Sequence, residues 1–191
     1  MAKIAVIVGS CREGSYNRAL AALAVARLKE HGAAVTEIDI AALDLPIYSD
    51  ALERNAFPGR ALQLKQQLQA QDGMLIVSPE YNGSIPALLK NALDWASRPT
   101  GDESPIALTA FRGKAAAIMS ASVSPFGGLR GLMHLRQILT TIQLLVIPEQ
   151  VAVPFAHNAF GQDGDLNDPL PAGLVDMAMA RLVKISAAIA A

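Results

Sequence analysis

The chain has one cysteine, Cys11, in 191 residues, so no internal disulfide can form and a reducing compartment is expected. Its three histidines, His31, His134 and His157, lie too far apart to give the close-spaced pairs of a metal site, and no metal is expected. Charge is scarce and balanced: 17% of residues, with 16 Lys+Arg against 17 Asp+Glu for a formal net charge of -1. Such a balance projects no bulk field toward nucleic acid or an anionic membrane, so any anionic ligand must be held locally. Long apolar runs are missing as well. None nears the ~20 residues of a bilayer-spanning helix, and the run from Ile4 to Val8 is shorter than the ~7 to 15 apolar residues of a secretory signal. A soluble, cytoplasmic protein is the expectation.

What the chain does have is apolar material, 52% of residues, dealt out in short pieces. Five runs rich in Val, Ile or Ala begin near Ile4, Val35, Met74, Ala115 and Leu144, as strands buried on both faces would. Their starts lie 29 to 41 residues apart, which matches the ~30 or more residues of a strand-helix-strand unit. The intervals carry helical spacing. Leu20, Leu23, Ala24 and Leu28 follow Asn17, read as an N-cap; Ile85, Leu88, Leu89, Ala92 and Ala96 follow Ser84, read as another, with Pro86 in the first turn. Leu132 to Ile142 and Leu174 to Ile189 mark two more helices, and Ala61, Leu64 and Leu68 a weaker one. Five strands and five helices in one α/β domain, residues 1–191, are predicted. Segments 44–59, 98–105 and 154–173 exceed the median connection of ~4 to 6 residues and read as loops. In open α/β sheets ligands bind beyond the carboxyl ends of strands, so the loops after strands one, three and four matter most.

Residues 9–18, GSCREGSYNR, join the first strand to a helix N-terminus, where unpaired N–H groups and the helix dipole favour an anion. Ser10, Ser15 and Asn17 add neutral donors and Arg12 a charge-assisted one, a set suited to a terminal phosphate. Gly9 and Gly14 match part of a P-loop, but Ser15 stands where its lysine belongs; the GxGxxG dinucleotide fingerprint is absent. An ordinary Ser/Gly turn with an Asn cap has the same composition, and Arg12 pointing into solvent would favour it. Cys11 reads equally as a small apolar residue, with no histidine near it in sequence to activate it.

Residues 78–95, SPEYNGSIPALLKNALDW, form the second unusual connection. Pro79 fixes the backbone at the strand end, Asn82-Gly83 allows a tight turn, and Tyr81 offers a ring; main-chain groups between them suit the polar edge of a flat heterocycle. With GSxRxxSxNR at 9–18 and PEYNxSxPxxLKNAxDW at 79–95, the sequence resembles the NAD(P)H-dependent FMN reductases of flavodoxin-like fold, which include quinone, chromate and azo-dye reductases. Weaker similarity runs through LPIYSD at 45–50 and GGLRGLMHLRQIL at 127–139.

The resemblance implies a flavodoxin-like three-layer sandwich whose five-stranded parallel sheet has the order 2-1-3-4-5. It implies that Ser10, Arg12, Ser15 and Asn17 hold the FMN phosphate, with Tyr16 near the ribityl chain. Pro79, Glu80, Tyr81 and Asn82 would meet the isoalloxazine, largely through backbone, and Ser120 and Ser122 would close the pocket. Ser124 departs from the family, which often has glycine there. NADPH or NADH would be a transient hydride donor and a quinone, free flavin, azo compound or chromate the acceptor, in a ping-pong scheme that needs no catalytic acid or base. Glu80 within a turn reads as a cap or a solvent-facing group. Trp95 reads as core or interface; Arg130, His134, Arg136 and Glu149 read as a solvated face or, by the resemblance, a homodimer or homotetramer contact. A flavodoxin-type electron carrier is the alternative, against which the near-neutral charge argues. A flavin-free scaffold would be a colourless protein.

Overall fold

The computed structural model describes residues 1–190. Strands β1 (Lys3–Val8), β2 (Ala34–Ile38), β3 (Gly73–Val77), β4 (Ala115–Ala121) and β5 (Leu145–Val153) form one sheet in the order β2-β1-β3-β4-β5. Every pairing is parallel, with Ile4 opposite Val35 and Gly73, and Gly73 opposite Ala115. The order reverses at β1, between β1 and β3, which places the topological switch over the loops that leave those two strands. This is the flavodoxin-like arrangement that the sequence resemblance implies.

Strand pleating sorts side chains to the two faces. Ile4, Val6, Leu75, Val77, Ala117 and Met119 pack under α1 (Tyr16–Glu30) and α6 (Pro169–Ile189), against Leu20, Leu28, Val175 and Leu182. Ala5, Ile7, Met74, Ile76, Ala116 and Ile118 pack under α3 (Gly59–Gln69), α4 (Ala87–Ala96) and α5 (Leu129–Thr141), against Leu64, Leu89, Leu93, Leu132 and Leu135. Each fully buried leucine contributes about 1.5–3 kcal/mol of transfer free energy. β3 and β4 are buried at every residue, whereas β2 at the edge is mostly half-exposed. β5, the other edge, accommodates Pro148 where the register slips between Ala116 and Ile118; an edge bulge is where proline's missing N–H does least harm.

Three expectations are corrected. The described residues hold six α-helices and a short 3-10 turn (Ala156–Asn158), because 44–59 contains α2 (Asp50–Asn55), capped by Ser49, whose Oγ accepts the Leu52 N–H at 3.2 Å. Asn17 is not an N-cap: α1 starts one residue earlier and Ser15 holds the cap position. Ser84 is not one either, since Pro86 precedes α4 and Ser84 closes the preceding turn. Trp95 is core: its Nε1–H donates to the Pro46 carbonyl at 2.7 Å, and Tyr48 and Phe57 meet it edge-on at 5.1 and 5.3 Å, pinning the 44–58 segment against α4.

Candidate functional site

A cleft of about 150 Å³ opens where the loops after β1, β3 and β4 converge. Ser10, Arg12, Ser15, Tyr16 and Asn17 line it from the first loop, Pro79, Glu80 and Tyr81 from the second, and Ala121, Ser122 and Val123 from the third. A larger groove, about 460 Å³, runs between α4 and α5, but Lys90 and Asp94 on its wall satisfy each other at 2.8 Å and no strand end opens into it. The smaller cleft holds the convergent chemistry.

The first loop is built for an anion. Ser10 and Ser15 are buried, the Ser10 Oγ accepts the Arg12 N–H at 3.4 Å, and no side chain caps α1. The Arg18 N–H turns back to the Ser15 carbonyl at 3.0 Å, so the free donors of the first turn are the N–H groups of Tyr16 and Asn17, and that turn holds no acidic residue to compete for them. Arg12 is exposed, yet its guanidinium lies over the Tyr16 ring at 5.4 Å on the cleft wall rather than apart from it. Asn17 works differently from a simple donor. Its Nδ2–H donates to the Ala121 carbonyl at 2.8 Å and its Oδ1 accepts the Ala121 N–H at 3.0 Å, which ties the start of α1 to the end of β4. One Nδ2–H remains for a ligand.

The second loop is a tight hairpin. Tyr81 and Ser84 exchange both main-chain bonds, 2.9 and 3.0 Å, around Asn82 at φ 51° and Gly83 at φ 78°, the pair of left-handed residues that a two-residue type I′ turn requires. The turn leaves Tyr81 half-exposed and Asn82 outside the cleft lining. Glu80 fixes it to α5: its carboxylate accepts from Arg130 Nε at 2.8 Å and from the Gly131 N–H at 3.1 Å. Burial alone would push the Glu80 carboxyl up, but Arg130 and the Gly131 N–H outweigh it and hold the group below the usual carboxylate range. Glu80 is an ionised strut, not a proton donor.

The third loop separates the two serines assigned to it. Ser122 lines the cleft, and its Oγ accepts the Ser124 N–H at 3.2 Å. Ser120 does not reach the cleft: it is fully buried, its Oγ has no hydrogen-bond partner, and it packs against Gly128. Gly127 (φ 60°) and Gly128 (φ 89°) are required twice over, by conformation and by space: a β-carbon on Gly128 would lie 2.8 Å from Ser120 Cβ. Ser124, where the family often has glycine, holds the loop through its Oγ, which accepts the Phe126 N–H at 3.3 Å. Ala121 and Val123 were not foreseen, and being apolar they carry no motif signal. Nor do Arg130, His134, Arg136 and Glu149 act as a set. They bond respectively to Glu80, to Ser84 Oγ (3.0 Å), to Gln150 with the Val146 and Ile147 carbonyls, and to Arg181 (3.3 Å).

Two buried hydroxyls, an arginine and an uncapped helix start beside a rigid main-chain corner form a cleft whose donors suit a mononucleotide, on a flavodoxin-like sheet. Comparison with known proteins makes this specific. The family model for NADPH-dependent FMN reductase matches residues 2–158, and the chain belongs to that family. An NAD(P)H-dependent FMN reductase of Pseudomonas aeruginosa is 38% identical over 167 residues, 87% of this chain and 85% of that one. A 2-hydroxy-1,4-benzoquinone reductase of a Burkholderia species is 41% identical over 145 residues, 76% of this chain and 74% of that one. The solved structure of FerB, a flavoenzyme NAD(P)H:(acceptor) oxidoreductase from Paracoccus denitrificans, has a TM-score of 0.84 at 28% identity and covers 98% of each chain. The chain is accordingly an oxidoreductase whose cofactors are FMN and NAD(P)H. The donor set fits: a terminal phosphate suits the first loop and a flat ring suits the main-chain edge of the second. Among the described residues no helix is long and apolar enough to cross a membrane.

Proposed function

We propose that the chain is a quinone reductase in which one cleft serves the nicotinamide and the acceptor in turn. When bound, FMN would supply the two-electron redox chemistry between NAD(P)H and the acceptor. Arg12, the Ser10 and Ser15 hydroxyls and the first-turn N–H groups of α1 hold the phosphate. Main-chain groups of Pro79 to Asn82, kept rigid by the Glu80–Arg130 pair, orient the ring, with Tyr81 and Ser122 at its margin. With the Glu80 carboxylate committed to Arg130 and Gly131, the protons that accompany reduction come from water. Free flavin, azo compounds and chromate are further acceptors at the same face. The chain works as one domain in the cytoplasm, as a homodimer or homotetramer.

The observation that carries this reading is the convergence of the anion loop and the main-chain corner in one cleft. Relatives named for FMN and for a benzoquinone support it. The test is affinity for FMN and for riboflavin, which lacks the phosphate. Each charge-assisted bond contributes about 1.5–3 kcal/mol, so Arg12→Ala should weaken FMN binding by about tenfold to a hundredfold and leave riboflavin binding unmoved. Equal loss for both, or none, would sink the phosphate assignment. Intersecting rather than parallel lines in steady-state kinetics with NADPH and a benzoquinone would count against a shared site.

A further inference from the structure

One aromatic residue, outside the cleft lining but on the segment that the cleft-lining loop binds, is held in a conformation that its side chain disfavours. Phe155, just past β5, has φ 47° and ψ 42°, in the left-handed region where a β-carbon is crowded, and it is 52% exposed. The loop between β4 and α5 pins it. The Phe155 N–H donates to the Ser124 carbonyl at 3.3 Å and the Ala156 N–H to the Ser122 carbonyl at 3.0 Å, and Ser122 itself lines the cleft. A second ring, Phe126, stands on that loop, 57% exposed with the Arg130 guanidinium 5.2 Å from its centroid. The two segments pack main chain to main chain: a β-carbon on Gly127 would lie 2.9 Å from main-chain atoms of Ala152, Val153 and Pro154. Folding gains little from a bulky residue in this backbone state whose apolar surface stays in water; glycine would take the position without strain. Strained, over-determined positions of this kind gather where a protein meets its ligand.

Building on the quinone-reductase reading, we propose that Phe155, together with Phe126 on the adjoining loop, extends the cleft on its acceptor side and selects flat aromatic oxidants of the naphthoquinone class. The ring of the acceptor packs on the Phe155 ring and covers the surface that the fold leaves exposed. Compact inorganic oxidants have no face to offer and gain nothing from this extension.

The experiment uses FMN-loaded protein without nicotinamide, so that binding is read without turnover. The dissociation constant of 1,4-naphthoquinone is measured by calorimetry for wild type, Phe155→Gly and Phe126→Ala, alongside the FMN dissociation constant by fluorescence. Phe155→Gly should raise the naphthoquinone constant about tenfold, equivalent to about 1.4 kcal/mol, with FMN affinity within about twofold. Its Tm should be no lower than wild type, because glycine relieves the left-handed strain. Phe126→Ala should weaken naphthoquinone binding by a smaller factor and stands in should the first variant fold poorly. Naphthoquinone constants unchanged in both variants would overturn the proposal, as would equal losses for naphthoquinone and FMN, which would put the ring in the cofactor pocket. Failure of wild type to take up FMN would instead defeat the underlying function, and this inference with it.

Discussion

Asn17→Ala removes a single carboxamide that serves both main-chain groups of Ala121, at 2.8 and 3.0 Å. Asn17 is 4% exposed and Ala121 3%, so water has little access to replace it. Leaving a buried main-chain donor and acceptor unpaired costs about 1–3 kcal/mol each, or about 2–6 kcal/mol together. That is a large share of the ~5–15 kcal/mol by which a folded chain exceeds its unfolded state. With a urea slope of about 2–3 kcal/mol per molar for a chain of this size, the unfolding midpoint should fall by about 1–2 M over most of that range. The assay is urea unfolding of the FMN-free protein followed by far-ultraviolet circular dichroism. Asn17→Asp is the informative companion, because its carboxylate can still accept the Ala121 N–H but has no proton for the Ala121 carbonyl; it should rescue little. A midpoint for Asn17→Ala within about 0.3 M of wild type would refute the claim that this residue anchors α1 to β4.

Further outcomes follow from other buried groups. Lys65 is 1% exposed; its Nζ donates to the Arg98 carbonyl at 2.6 Å and to the Glu103 carboxylate, which also accepts from Thr109 Oγ1 at 2.8 Å and the Thr100 N–H at 3.0 Å. Either Lys65→Met or Glu103→Gln alone should destabilise by about 3–5 kcal/mol, with the double variant recovering much of it, as thermal unfolding at neutral pH would show. Burial raises the Glu103 carboxyl, but Lys65, Thr109 and the Thr100 N–H outweigh it and hold it at about 2. Its stabilisation is therefore full above the ordinary carboxylate value of ~4.3 and drains as pH falls toward the folded value, a loss that Glu103→Gln should not show. Gly128→Ala should destabilise by at least about 2 kcal/mol from its φ of 89° and its approach to Ser120, whereas Ser120→Ala should be neutral or stabilising and leave FMN affinity alone. Weaker FMN binding by Ser120→Ala would restore that serine to the cofactor.

The sheet was readable because both-face burial writes continuous apolar runs, and β1, β3 and β4 are buried along almost their whole length. Helix starts were read less well for a physical reason: a small polar residue before an apolar stripe is what a cap requires and also what a cross-strand anchor requires. Asn17 and Ser84 have the first appearance and the second kind of role. α2 was missed because it has no buried face at all, so no periodicity betrays it. Of the residues lining the cleft, the polar ones were legible, while the apolar Ala121 and Val123 were not. Ser120 and Ser122 differ because Ser120 still lies within β4, fully buried against Gly128, whereas Ser122 lies beyond the last paired residue, Ala121.

The Lys65–Glu103 pair has a bearing on how such a molecule can change over generations. It clamps the stretch leading into the amino end of β4, while every wall of the cleft departs from the opposite, carboxyl end of the sheet. Substitutions that retune what is reduced therefore fall far from the clamp that secures the long connection. A frame partitioned this way can spawn descendants with new oxidants and an old architecture.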